Sequence, residues 1–470
     1  MAFSSLQFLC VFLPLVFLLS LIIPSVKGKN ILLVIASLLF YAYGEPVYVI
    51  LMLLCTLLNF IMALIIDGRE GTQRKVLTVI TCILNLTVLG IFKYTGMAVA
   101  TLNSLLGLSI SIPAITLPIG ISFFTFQAMS YTVDIYRKES NAQRNFFKVL
   151  LYISLFPQLI AGPIVKYTDI ASEIDERKAS LSDIARGLRR FCLGLSKKVL
   201  ISNTLALAAD KVYAMNNSDI TMLSAWIGAV SFMLQIYFDF SGYSDMAIGL
   251  GQMFGFHFRE NFHYPYVSSS IQDFWRRWHI SLSSWFKSYL YIPLGGNRKG
   301  RNRTWINRLI VFFCTGLWHG AAWTYVVWGL YHGLFLIIET IAPKFTKKLG
   351  VFRYVYVLLV VCIGFVFFRA DSMGQAFTMI GAMFTKPALT AASAAVTLPL
   401  LSKQYIIILA VAIIGSLPIK EWFEEYLSSK GEKLYSAAHT ISYVFSVILL
   451  FLCVCYLSAG TYNPFIYFRF

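Results

Sequence analysis

The stretch Gly316-Leu317-Trp318-His319-Gly320-Ala321-Ala322-Trp323 decides how this chain is read. It sets one ionisable side chain, His319, in surroundings otherwise apolar enough to lie inside a bilayer. No Asp or Glu occurs between Asp273 and Glu339, so no carboxylate near in sequence pairs with that imidazole. An ionisable group at membrane depth is costly and usually faces a cavity or pathway. Imidazole is also the side chain best poised to move a proton near neutral pH. A buried base of this kind points to chemistry more than to scaffolding.

The whole chain supports that setting. Of 470 residues, 58% are hydrophobic and only 13% charged, with a mean hydropathy of +0.71. Soluble domains are about a quarter charged. The composition fits a polytopic membrane protein and argues against disorder or a disulfide-stapled secreted scaffold. A net charge of +17 raises nucleic-acid binding, but no recognition module is present. Basic cytoplasmic loops facing anionic lipid explain the charge more simply. The eight cysteines, among them Cys314, Cys453 and Cys455, form no CxxC pair and mostly sit in apolar runs. They read as small hydrophobes, not as bridges or metal ligands. The first apolar run, Leu6 to Ile23, lacks a basic leader and a small-residue cleavage site. It is expected to be a retained span.

Apolar runs near spanning length recur at 6–24, 30–46, 48–66, 77–95, 115–134, 223–250, 321–341, 354–368, 403–419 and 438–458. Weaker ones lie near 149–165, 199–215 and 305–319. Leu155-Phe156-Pro157-Gln158 through Ala161-Gly162-Pro163 is too interrupted for a plain helix. It reads as a re-entrant hairpin or a kinked span. The basic sets Lys27/Lys29, Arg69/Arg74/Lys75 and Arg137/Lys138/Arg144/Lys148 fall on one side if the N-terminus is outside. The chain then also ends outside, at Asn463-Pro464-Phe465-Ile466-Tyr467-Phe468-Arg469-Phe470. No convincing internal repeat is present, which weighs against an inverted-repeat transporter.

Residues 271–289 predict one amphipathic helix. Ile271, Phe274, Trp275, Trp278, Leu282, Trp285, Phe286 and Tyr289 follow helical spacing, with Arg276, Arg277, Ser284 and Lys287 opposite. Such a helix would lie in the membrane interface with its indoles at headgroup depth. His279 falls on the flank of the apolar stripe, as an interfacial histidine or a functional one. Pro293, Gly295, Gly296 and Gly300 follow, with Arg298, Lys299, Arg301, Arg303 and Arg308. That turn either simply obeys the positive-inside bias or also holds the phosphates of a coenzyme A thioester. It lacks the Walker spacing. About four helical turns separate Trp305 from Trp318, which carries His319 well into the membrane. His332, in Trp328-Gly329-Leu330-Tyr331-His332-Gly333, reads as a satisfied core histidine. Gln235, Asp239, Ser241, Ser244 and Asp245 form a polar cluster in an apolar span. Asp245 reads as structural, whereas Asp239 either lines a tunnel or pairs with an arginine. There is no HExxH, no GxSxG and no clustered metal-ligand set.

Phe274-Trp275-Arg276-Arg277-Trp278-His279-Ile280-Ser281-Leu282-Ser283-Ser284-Trp285, Tyr291-Ile292-Pro293-Leu294-Gly295-Gly296 and Gly316-Leu317-Trp318-His319-Gly320 together resemble the membrane-bound O-acyltransferases. The bacterial alginate O-acetyltransferase branch is the most similar, with the teichoic-acid D-alanyl transferases close by. Gln235 to Gly242 and Ala161-Gly162-Pro163 match that branch as well. The resemblance implies an all-α transmembrane bundle of about eleven spans with re-entrant and interfacial helices, and funnels that converge on a central histidine. It implies a single domain over 1–470, with N-terminal spans in 1–134, a catalytic core in 135–345 and C-terminal spans in 346–470. It makes His319 the catalytic histidine and His279 the second catalytic position. Trp278, Trp318, Asp239, Gln235, Arg276, Arg298 and Lys299 are the expected substrate-binding residues. No permanently bound cofactor or metal is implied. Acetyl-CoA or another acyl thioester is the expected donor, and an extracytoplasmic acyltransferase or acceptor protein the expected partner, in the cell membrane. D-alanyl transfer from a carrier protein and a proton-coupled transporter or flippase are the competing readings.

Overall fold

The computed structural model describes residues 1–460, 462–464 and 466. Phe465 and residues 467–470 of the C-terminal stretch lie outside the described residues. Among the described residues the fold is helical throughout, without a strand. Seven helices among the described residues are long and apolar enough to cross a membrane. They are α1 (Tyr48–Asp67), α2 (Gly71–Leu106), α4 (Leu181–Tyr213), α5 (Met222–Met253), α9 (Trp323–Ile341), α10 (Phe352–Arg369) and α11 (Glu432–Ala459). The bent pair Ala391–Leu400 and Lys403–Gly415, at 66°, makes an eighth if it is one span. Shorter or more polar helices stand between them: α3 (Ile121–Tyr136), α6 (Ile271–Arg277), α7 (Ile280–Phe286) and α8 (Arg301–His319).

The chain forms two compact units. In the first (Met1–Phe191 and Met246–Glu260), polar groups join the helices from within. Asn59 and Asn85 exchange amide hydrogen bonds of 2.9 and 3.1 Å between α1 and α2, and Thr132 of α3 donates to Asn59 at 3.0 Å. Between helices in lipid such bonds supply attraction that apolar contact cannot. The expected 115–134 span starts late, at Ile121, because Pro118 and a left-handed Gly120 (φ +78°) hold the preceding chain out of helix. The interrupted 149–165 run follows a nine-residue helix, Phe146–Ser154, into a break at Leu155 and a single turn, Phe156–Leu159. Protein buries residues 149–165 throughout, as non-helical backbone at membrane depth requires. The Tyr152 hydroxyl donates to the Val165 carbonyl at 2.9 Å and ties its two arms together.

In the second unit (Cys192–Asp245 and Asn261–Phe470), α8 and α9 form a tight antiparallel hairpin. Its glycines explain the closeness. A Cβ on Gly316 would overlap the Tyr325 carbonyl, and one on Gly329 would overlap the Phe312 carbonyl. Only residues without side chains let two helix backbones approach this far.

The amphipathic helix expected over 271–289 is two helices. α6 ends at Arg277, Trp278 is extended (φ −102°, ψ 127°), and His279 is left-handed (φ 44°, ψ 55°). Left-handed backbone is rare for any residue but glycine, and such outliers collect at functional sites. Asn261 holds the break: its carbonyl accepts from Ile280 N–H at 2.9 Å, and its Oδ1 accepts from Ser281 N–H and Oγ at 3.1 and 2.9 Å. At the other end, the Glu339 carboxylate accepts from the N–H groups of Ile271 and Gln272 at 2.6 and 3.0 Å. It thereby caps α6. The indoles of Trp275, Trp278 and Trp285 are buried in protein. Turning the chain at His279 carries the apolar stripe inward, which a continuous helix in the membrane interface would not do.

Candidate active site

The break at His279 points its ring at the end of α8. The ring centroids of His279 and His319 lie 6.3 Å apart, and Trp318 sits 6.0 Å from the first and 5.0 Å from the second. Trp328 at 5.0 Å and Phe368 at 5.3 Å close the other sides of His319. Phe240 and Phe262 stand 6.3 and 6.1 Å from His279. His279 and His319 are 2% and 5% exposed. Among the described residues neither ring nitrogen of His279 meets a hydrogen-bond partner. Its burial, with no neighbouring carboxylate, pushes its pKa down to about 3. The imidazole is therefore neutral and keeps a lone pair and an N–H for a ligand. His332 is fully buried against Phe274, Trp275, Trp328 and Tyr331, and both its ring nitrogens also lack partners. It is a core histidine, as expected, but not a satisfied one.

Two cavities flank this cage, at opposite ends of α8. The larger, about 510 Å³, lies toward the basic turn that starts α8. Arg276, Lys287 and Arg308 lie on its wall with Trp275, Phe312 and Thr315. Thr315 is one helical turn before His319, and Ile280, next to His279, also lines it. The smaller cavity, about 200 Å³, opens at the far end of the hairpin beside Ala322, Tyr325, Phe368 and Arg369. Neither imidazole is among the described residues that line these two cavities. Phe368 separates His319 from the smaller cavity, and Trp328, in contact with Trp275 at 5.8 Å, separates it from the larger.

The other expected site residues divide sharply. Arg276 lines the larger cavity, whereas Arg298 and Lys299 are exposed and off its wall. Lys287 and Arg308 are the cations brought there instead. Trp318 is part of the histidine cage, but Trp278 packs among Tyr237, Phe262, Phe274 and Phe365. Asp239 is fully buried in an ion pair with Lys198 at 2.7 Å and accepts from Ile466 N–H at 3.0 Å. Its partner is a lysine, not an arginine. Asp245 pairs with Lys197 at 2.7 Å. Gln235 is buried with its Oε1 lacking a partner, away from both cavities. Among the described residues no group of three or more His, Cys, Asp or Glu could hold a metal ion.

Residues 38–373 match the sequence profile of the membrane-bound O-acyltransferase family. The chain belongs to that family. It is thus an O-acyltransferase of the membrane, and it shares the all-helical, multi-span class that the motifs imply, with seven or eight candidate spans among the described residues where about eleven were expected. Among curated O-acyltransferases of this family, it is 39% identical over 516 aligned positions to a probable alginate O-acetylase of Azotobacter vinelandii, covering all of both chains. It is 35% identical to the peptidoglycan O-acetyltransferase of Helicobacter pylori, over 81% of this chain and 79% of that one. The teichoic acid D-alanyltransferase of Bacillus subtilis is more distant, at 29% over 49% of this chain and 60% of its own.

Asn261 is absent from the sequence-derived site, although it sets the turn at His279. The run Glu260-Asn261-Phe262-His263 carries no spacing that links it to residues twenty positions on. Only the fold brings them together.

Proposed function

We propose that the protein moves an acetyl group from a thioester on the cytoplasmic side to a hydroxyl on the other, for O-acetylation of an extracellular or cell-wall polysaccharide. The observation that carries this reading is the placement of His319 between two chambers of unlike chemistry. Cations line the mouth of the larger one and aromatic rings its depth, which suits a donor with phosphates at one end and an acyl thioester at the other. Coenzyme A has that form. The names of the relatives covering most of the chain, which are acetyl transferases for alginate and peptidoglycan, favour acetyl over D-alanyl.

In this reading the acceptor hydroxyl gives its proton to the His319 imidazole while its oxygen attacks the thioester carbonyl carbon. The tetrahedral intermediate expels the thiolate, which takes the proton back from the imidazolium and leaves as free thiol. His279, neutral and with a ring N–H to offer, orients the donor carbonyl. Passage into the cage needs Trp328 and Phe368 to change rotamer, one for each reactant. An extracytoplasmic acceptor protein carries the acetyl group on to the polymer. The bilayer is the cell membrane, with both termini outside, as the basic loops suggest.

Mass spectrometry of envelope glycans from cells with and without the protein tests this. The expected result is loss of acetyl ester from one polymer. Unchanged ester content, or loss of D-alanine instead, contradicts it.

A further inference from the structure

The smaller cavity contains a buried cation that its neighbours only partly satisfy. The Arg369 side chain, at the C-terminal end of α10, is 4% exposed. Its Nη2 donates to Asp210 Oδ1 at 2.6 Å, and its plane covers the Tyr213 ring at 4.7 Å. Its Nε and Nη1 are buried and donate to nothing among the described residues. Asp371 Oδ1 stands 3.7 Å from Nη1, an ion-pair distance but too long for a hydrogen bond. Unmade hydrogen bonds of a buried guanidinium are expensive, and proteins seldom leave them without a reason. Arg369 and Asp371 both line the cavity, together with Thr324, Tyr325 and Phe368.

We infer that this cavity is a subsite for a neutral hydroxyl compound, and that Arg369 and Asp371 select it against carboxylates. The inference rests on the transfer reading above and names the acceptor class for it. A hydroxyl both accepts and donates, so one oxygen takes a hydrogen bond from Arg369 Nε or Nη1 while its proton, or a neighbouring hydroxyl, serves Asp371. A carboxylate would satisfy only the arginine. It would also enter a place where Asp210 and Asp371 already put two negative charges against one positive, and would meet net repulsion. A hydroxyl held at Arg369 is one aromatic layer from His319, and that layer is Phe368, whose ring touches both Tyr325 (5.0 Å) and the imidazole (5.3 Å). The hydroxyl source is either a sugar or a serine side chain, since the chemistry recognised is the same.

Purified protein supplied with acetyl-CoA tests this with three small acceptors: methyl glucoside, methyl glucuronoside of the same size but with a carboxylate, and N-acetylserinamide. Wild type is expected to use the glucoside or the serine compound, by kcat/KM, at least about fivefold better than the uronoside, the scale of one screened like-charge contact. The better of those two identifies the source. Asp371 is three-quarters exposed, so D371N leaves the packing intact. It should bring the glucoside-to-uronoside ratio close to one. R369Q should raise KM for both neutral acceptors, with its folding checked by gel filtration. An unchanged ratio in D371N overturns the inference. Coenzyme A release into water that H319A abolishes reports separately on the transfer reading. If that release is present and the ratio does not move, only the acceptor subsite falls. If wild type releases none, both fall.

Discussion

Two buried polar centres in the second unit show how differently a membrane protein treats its interior charges. At Lys198 and Asp239 each charge meets the other at 2.7 Å, and backbone from residues 464 and 466 fills in around them, Pro464 accepting from the lysine and Ile466 donating to the aspartate. At His279 the ring is as deeply buried, yet neither nitrogen has a partner. Burial costs both groups their hydration. The first recovers it internally and so belongs to the scaffold. The second does not, and the left-handed backbone beneath it shows that the fold holds it in place against a local preference. Charges that meet each other mark structure, and a ring left open beside His319 marks a place for a ligand.

The contrast breaks or holds on substitutions at seven positions. H319A should lower acetyl transfer by about 10²–10⁴, the usual value of a general base, with thermal unfolding in detergent unchanged. Full activity in that variant removes the catalytic assignment. K198M should cost about 3–5 kcal/mol, because it strands Asp239 without its cation. The double variant K198M/D239L should recover most of that loss, and unfolding curves that show no cost in the single variant would mean that the pair is not scaffold. H279L and H332L make the same change in two buried rings. For H279L, kcat/KM for the donor should fall about tenfold or more through lost orientation. H332L, behind Trp275 and Trp328 rather than beside His319, should keep transfer near wild type and change stability by less than about 1.5 kcal/mol. Equal losses in both would erase the distinction between them. The smallest effect belongs to R298Q/K299Q. Both side chains are exposed, so donor KM should rise only a few-fold and the difference should vanish at about 1 M salt.

Much of this was legible before any coordinates. Helices follow from long apolar runs, and His319 stands out because nothing near it in sequence explains it. The family motifs bring His279 beside it. What sequence periodicity misses is where a helix stops for a tertiary reason. Residues 271–289 carry an unbroken helical stripe, yet Asn261, ten residues outside, holds the break and starts the second helix, while Glu339, fifty residues on, caps the start of the first. The cations tell the same story. Arg298 and Lys299 share a Gly-rich turn that suits phosphate, but Lys287 and Arg308 reach the cavity because helix faces, not loop composition, aim side chains inward. Arg369 is invisible to spacing: its meaning depends on Asp210 being 159 residues away in the chain and 2.6 Å away in space.

The central claim is that one imidazole serves reactants arriving from opposite sides. Sealed proteoliposomes in which labelled acetyl-CoA is confined to one face, and a membrane-impermeant hydroxyl acceptor to the other, test it directly. The account predicts acetylated acceptor across the intact bilayer, in one orientation of donor and acceptor only, and none with H319A. Product formed only when both reactants share a face would contradict it.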